Sequence, residues 1–229
     1  MILAGGYGTR LRQTVPNAPK ALAPIGKQPF VELQIRNWMR QGINDFIFLL
    51  HYQAEHIIEF LKEKELNLLK DCKVSYLVES TPLDTGGAVA NAVKHLKLND
   101  SFLVANADTW LGAGICELSR VNGAALVTVM LSDVSRFGEI AFNNKGFVSE
   151  FKEKKGDKKP GWINAGLYKF HPTDFKNWTG GPVSLEKDVL KSLSKKKQLK
   201  AVCIETSFID IGVPEDYLRF CSLYNGAES

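Results

Sequence analysis

Apolar positions along this chain fall in short runs separated by polar, glycine-bearing breaks. Residues 1–4 read as a short strand, and 45–50 (DFIFLL) as a strand apolar enough to be buried on both faces. Over 30–41 the apolar residues Phe30, Leu33, Ile35, Trp38 and Met39 recur near helical spacing, with Gly42 as the stop. Residues 53–64 repeat the pattern, with Ile57, Ile58 and Leu61 on one side. Strands over 74–78 and 101–105 alternate with a helix over 86–96. This β-α-β-α-β-α-β order predicts a mostly parallel sheet with helices on both faces, a Rossmann-like α/β/α arrangement.

The pattern then changes. Residues 124–131 (AALVTVML), 139–143, 146–151 and 163–170 are strand-like and joined by short turns, which predicts a β-rich insertion. Helices are expected at 172–178, at 184–193, and at 214–223, the last with Pro214 in its first turn. No linker rich in Pro, Gly or Ser divides the halves and no internal repeat is visible, so one α/β domain over 1–229 is expected.

Composition narrows the function classes. Hydrophobic residues make up 45% and charged residues 24%, enough apolar surface to exclude a disordered chain. The net charge is +4, too small and too scattered for a nucleic-acid binder. No apolar stretch reaches the length of a membrane span, and the opening apolar run breaks at once into Gly5 and Gly6, unlike a signal peptide. Cys72, Cys116, Cys203 and Cys221 form no C-x-x-C pair and read as buried free thiols. A cytoplasmic protein is expected.

The densest chemistry lies in Leu3-Ala4-Gly5-Gly6-Tyr7-Gly8-Thr9-Arg10-Leu11, followed by Pro19-Lys20. A strand ending in glycines lets backbone N–H groups come close to phosphates. The loop lacks the Gly-Lys-Ser/Thr of a P-loop. It also fails the G-x-G-x-x-G of dinucleotide enzymes, since Leu11 stands at the third position, which disfavours a nicotinamide oxidoreductase. What remains is a phosphate loop with two fixed cations. Arg10 is suited to bidentate contact and Lys20 to a point charge, a combination that fits nucleotidyl chemistry.

This signature resembles that of the sugar-1-phosphate nucleotidylyltransferases, which couple a nucleoside triphosphate to a sugar 1-phosphate and release pyrophosphate. Further segments match in order. Asn106-Ala107-Asp108-Thr109 is similar to the family's N-G-D-T, and Phe208-Ile209-Asp210-Ile211-Gly212 to its W-x-D-I-G. The resemblance implies Mg²⁺ as cofactor, held by Asp108 and Asp210. It assigns catalysis to Arg10 and Lys20, and nucleotide binding to Leu3, Ala4, Gly5, Gly6, Gly8, Thr9, Glu79, Thr85 and Gly86. It assigns the sugar phosphate to Gly138, Glu153, Lys154, Asn164 and Glu186. On this reading residues up to about 110 form the nucleotide-binding part and about 111–229 the sugar-binding part.

Glu79 opens the segment that resembles the family's base-binding stretch, in which Asp84 replaces a usual glycine; Asp tolerates positive φ better than most residues. The family often has Gln where Glu79 stands. An ionised Glu only accepts, and guanine alone presents two adjacent donors, so GTP is the expected donor rather than UTP or dTTP. Within the family the chain looks like the guanylyltransferases that activate D-glycero-α-D-manno-heptose 1-phosphate for bacterial surface polysaccharides, with mannose 1-phosphate as the alternative sugar. A non-catalytic nucleotide-sugar sensor would be expected to lack one of Arg10, Lys20, Asp108 or Asp210, and all four are present. Family members associate, so a homo-oligomer is a possible partner state. Lys155, Lys158 and Lys159 read as solvated loop charges, and His51 and His56 as surface or packing residues.

Overall fold

The computed structural model describes residues 1–16, 18–154 and 156–227, so the expectation for Lys155 lies outside the described residues. The chain begins with β1 (Ile2–Leu3), a 3₁₀ turn (Lys20–Leu22), the small ribbon β2 (Pro24–Ile25) and β3 (Gln28–Pro29), and α1 (Phe30–Arg40). There follow β4 (Asp45–Leu50), α2 (Ala54–Glu65), β5 (Lys73–Val78), α3 (Asp84–His95), β6 (Phe102–Asn106), β7 (Thr109–Leu111) and α4 (Ile115–Ser119). The remainder contains β8 (Ala124–Leu131), β9 (Glu139–Phe142), β10 (Val148–Lys152) and β11 (Gly161–Phe170). A 3₁₀ turn at Pro172–Phe175, a π-helical turn at Leu185–Leu190, α5 (Lys191–Lys195), β12 (Leu199–Ile204), β13 (Phe208–Asp210) and α6 (Pro214–Ala227) complete it.

These elements form two compact units that interleave along the sequence. The first takes Met1–Thr81, Asn106–Gly112 and the chain from Phe208 onward; the second takes Pro82–Ala105 and Ala113–Ser207.

In the first unit β1, β4 and β5 are parallel, with Leu3 opposite Leu49 and Leu50 opposite Val78. Phe48, Leu49 and Leu50 are all buried, as the run DFIFLL predicts for a strand covered on both faces. A second cluster joins Leu11, Ile25, Phe30, Leu33, Ile211, Tyr217 and Phe220. Its polar anchor is the Tyr217 hydroxyl, which donates to the Pro24 carbonyl at 2.6 Å. Burial pushes this phenol up to about 12, with Cys221 beside it adding to the shift. β7 and β13 pair antiparallel, with Asp210 opposite Thr109.

The second unit is built on β11, whose ten residues pair antiparallel with β6, β8 and β9. β8 carries β12 in parallel on its other side, and β9 carries β10. The result is an α/β fold with a mixed sheet, as the alternating pattern predicts. Along β8 every residue from Ala124 to Val129 is buried, which accounts for an apolar run broken only by the buried Thr128.

Three expectations are corrected. The helix expected over 172–178 is one 3₁₀ turn, closed by a reciprocal cap between His171 and Asp174. The helix expected over 184–193 opens as a wide π turn. Ser184 N–H donates to Asp188 Oδ2 at 2.8 Å, one residue beyond the usual capping partner, and this spreads the first turn. The free cysteines are not buried. Cys116 and Cys203 are exposed, on the short α4 and on the strand β12, while Cys72 and Cys221 are half-buried.

Candidate functional site

β1 delivers the glycine loop at the carboxyl end of a parallel strand, where open α/β sheets collect ligands. Ala4 extends the ladder, its N–H donating to the Leu49 carbonyl at 3.0 Å, and the chain then leaves the sheet. Gly8 takes φ +59° and lies against Lys20, whose Cβ would be 3.3 Å from any Cβ placed there. Both demands favour glycine. Beyond Thr9 and Arg10 the chain curls, with Leu11 N–H and Arg12 N–H both donating to the Gly8 carbonyl at 3.1 Å. Leu11 and Val15 enter the core cluster and so anchor the loop that carries Arg10.

Lys20 opens its 3₁₀ turn after Pro19, with Ala21 and Ala23 buried beneath it. Its ammonium bonds Asp108 Oδ2. Asp108 reaches this point because β6 ends at Asn106 and β7 begins at Thr109, leaving Ala107 and Asp108 as a two-residue turn. Asp210 reaches it because β13 pairs with β7, and Ile211 N–H donates to the Asp108 carbonyl at 2.9 Å. Two aspartates far apart in sequence are thereby brought side by side.

Gly212 shows how tightly the group is packed. A Cβ there would lie 2.7 Å from Asp210 Oδ1, 2.8 Å from Lys20 Nζ and 3.4 Å from Arg10 Nη2. Arg10, Lys20, Asp108 and Asp210 therefore form one cluster around an atom-sized gap that only glycine leaves open. Gly212 N–H also donates to Asp210 Oδ1 at 2.7 Å. Burial and the neighbouring Asp108 charge push the Asp210 carboxyl above its usual range, against the opposing pull of Lys20, the Gly212 N–H and Arg10.

This donor set suits a hard divalent cation. One carboxylate already holds an ammonium and the other is disfavoured as an anion, so both gain from added positive charge. Mg²⁺ is commonly bound by one or two carboxylates together with substrate phosphates. Among the described residues no group of three or more His, Cys, Asp or Glu forms a metal cage. The protein offers a pair of ligands, Asp108 and Asp210.

Glu79 follows β5 at the same end of the parallel strands, and its N–H donates to the Leu50 carbonyl at 2.9 Å. The residue is half-buried. His51, expected to be a surface or packing residue, is half-buried, packs edge-on against Tyr7 and bridges two parts of the first unit. Its Nδ1 meets the Glu79 carbonyl at 3.0 Å and its Nε2 meets the Tyr7 hydroxyl at 3.3 Å. Tyr7 also packs on Tyr52, over which the Arg12 guanidinium sits.

In the second unit, Asp84 takes φ +57°, the conformation for which glycine is usual, and its carboxylate accepts from Thr85 N–H. The Thr85 hydroxyl is committed to Leu185 N–H at 2.9 Å, and Gly86 N–H to the Val183 carbonyl at 2.8 Å. Both residues lock α3 to the chain leading into the π turn. Asn164 and Glu186 come together: the Asn164 amide donates to Glu186 Oε1 at 3.2 Å and to the Tyr168 hydroxyl at 2.9 Å. A Cβ at Gly138 would lie 3.1 Å from the Lys152 carbonyl. Glu153 and Lys154 are exposed beyond β10. Lys159 is not a simple solvated charge, since it pairs with Glu139 at 2.7 Å, as Lys152 does at 2.8 Å.

Sequence reading also passed over the polar face of α1. Gln34 and Asn37 are buried, and they donate to carbonyls of the Asn106–Gly112 segment. The signal was present, because Gln34, Asn37 and Gln41 recur at helical spacing.

Known proteins resemble the chain along most of its length. A family model described as nucleotidyl transferase matches residues 1–225. The chain is 34% identical to a D-glycero-alpha-D-manno-heptose 1-phosphate guanylyltransferase of Campylobacter jejuni subsp. jejuni, over 96% of this chain and 97% of that protein. It is 31% identical to the mannose-1-phosphate guanyltransferase of Schizosaccharomyces pombe over 98% of its own length, but spans only 63% of that protein. Among solved structures, HddC from Yersinia pseudotuberculosis superposes with a TM-score of 0.85 at 32% identity, covering 97% of each chain. The same protein complexed with GMP-PN superposes at 0.83, with 31% identity and 97% of each chain covered.

Proposed function

The chain belongs to the nucleotidyl transferase family, and on that premise we propose that it transfers GMP from GTP to a sugar 1-phosphate, releasing pyrophosphate. The observation that carries this reading is the convergence of Arg10, Lys20, Asp108 and Asp210 around Gly212. Two cations suited to a triphosphate lie beside two carboxylates suited to a divalent ion.

An oxygen of the sugar phosphate attacks the α-phosphorus in line, and pyrophosphate leaves. The attacking group is already ionised at neutral pH, so no general base is needed. Arg10 and Lys20 offset charge on the triphosphate, and the loop from Leu3 through Thr9 receives its phosphates on backbone N–H groups. Asp108 and Asp210 would hold Mg²⁺, which when bound supplies charge neutralisation that side chains alone provide less well. Glu79 accepts from guanine N1–H and the 2-amino group, and Thr85 and Gly86 fix the chain that follows it. Lys154, with Glu153 beside it, binds the sugar phosphate, while Asn164, Glu186 and the close-packed backbone at Gly138 serve the sugar.

D-glycero-α-D-manno-heptose 1-phosphate is the favoured sugar, because the relatives of matching length include a guanylyltransferase for it. The product then serves bacterial surface-polysaccharide synthesis in the cytoplasm. Mannose 1-phosphate is the second reading, supported by the fungal relative. Residues up to about 110 act mainly on the nucleotide and residues from about 111 mainly on the sugar, within one catalytic domain; Asp210 is the exception. Among the described residues no helix is long and apolar enough to cross a membrane.

The test is pyrophosphate release from each pairing of GTP, UTP or dTTP with heptose, mannose or glucose 1-phosphate. GTP with the heptose phosphate is expected to be fastest. A clear preference for UTP or dTTP would overturn the role of Glu79, and no release from any pair would overturn the enzyme.

A further inference from the structure

The turn that carries Asp108 is held from behind by a helix. Gln34 on α1 is 2% exposed, and its single amide nitrogen donates to two carbonyls, Asn106 at 3.1 Å and Thr109 at 2.7 Å. These are the last residue of β6 and the first of β7, so the two bonds bracket Ala107 and Asp108. One helical turn on, Asn37 donates to the Leu111 carbonyl at 2.8 Å. Gln41, one further turn along, reaches toward the Gly112 carbonyl at 3.5 Å. Spacings of three and seven residues place all three on one face of the helix.

The orientation of the Gln34 amide is fixed by this pairing, since only its NH₂ end can serve two carbonyls. Its Oε1 is buried and has no hydrogen-bond partner among the described residues. A buried acceptor left in this way is unfavourable, and a residue kept at that cost calls for a reason. The reason lies in what the two bonds hold. The Asp108 carboxylate must meet Asp210 and Lys20 at one point, and its own turn has only two residues with which to aim it.

We infer that Gln34 is a positioning residue for Asp108, fixing the turn so that the carboxylate presents to a divalent cation together with Asp210. This rests on the proposed function, in which those two aspartates hold Mg²⁺. Partners that orient metal ligands typically change metal affinity by about 10- to 100-fold when removed.

The test reads metal binding through the nucleotide, with no sugar phosphate and so no turnover. GTP affinity is measured by calorimetry with and without Mg²⁺, and the ratio gives the coupling between them. In Gln34→Met, which keeps the bulk and removes both bonds, that ratio is expected to shrink about tenfold. GTP affinity without Mg²⁺ is expected to stay unchanged. Asn37→Leu serves as the control. It removes a bond from the same stripe farther from Asp108, and should lower Tm while preserving the ratio. Should Gln34→Met lack a cooperative thermal transition, Gln34→Asn, whose amide falls one methylene short, is read in its place with the same expectation. The inference is overturned if the folded Gln34 variant keeps the wild-type ratio, or if Asn37→Leu reduces it equally. A wild type whose GTP affinity ignores Mg²⁺ overturns the metal assignment itself, a different failure.

Discussion

Gly212 is the residue on which the cluster turns. Two oppositely charged side-chain ends, Asp210 Oδ1 and Lys20 Nζ, occupy the space where a side chain would begin. Gly212→Ala must push at least one of them by an ångström or so, and displacements of that size at reacting groups cost on the order of 100-fold in rate. We expect that loss in pyrophosphate release, with a cooperative thermal transition retained. Turnover close to wild type would mean that the ends of Arg10 and Lys20 do not need that gap. The residues of this cluster were legible in the sequence because each sits in a long motif. Gly212 was visible in that motif but its task was not, since a glycine's job is defined by the neighbours that approach it. His51 was expected to pack or to face solvent, but its partners, Tyr7 and the Glu79 carbonyl, could not be named because they come from other segments.

At the scale of elements, the strands 45–50 and 124–131 match β4 and β8 residue for residue, because burial of most positions on both faces leaves a nearly continuous apolar run. The ribbon of β7 and β13 could not be read. Each strand has three residues and no period to recognise, and they pair across about a hundred residues of chain. That ribbon is what joins Asp108 to Asp210, so the meeting was expected only through resemblance. In the other unit Glu139 ties β9 to β10 through Lys152, and to Lys159 just before β11. Hydrogen bonds from Lys152 and Lys159 pull its carboxyl down to about 2. A carboxyl lowered in the folded state stabilises fully above its unfolded pKa and loses that contribution as pH falls through the folded value. Glu139→Gln should therefore lower Tm at pH 6, with the gap to wild type closing between about pH 4.5 and 2. A gap that stayed constant over this range would show that the ion pairs contribute nothing.

For the molecule as a whole, ligand binding and stability are linked. A ligand at a hundred times its Kd adds about 2.7 kcal/mol. For a chain of this size that corresponds to a rise of about 5–10 °C in Tm. Mg²⁺ with GTP is expected to produce a shift of that order by differential scanning fluorimetry, and UTP at equal concentration less than half of it. Equal shifts would count against base selection by Glu79.

The interleaving of the two units also bears on how the protein is made. Arg10, Lys20, Glu79 and Asp108 leave the ribosome early, whereas Asp210 and Gly212 follow some hundred residues behind Asp108, on a segment that must travel back to the first unit. A polypeptide whose translation stalls between Asp108 and that segment carries the phosphate loop and both cations but only one of the two carboxylates. On the proposed function, turnover requires synthesis through Gly212, and products aborted before it are expected to release no pyrophosphate.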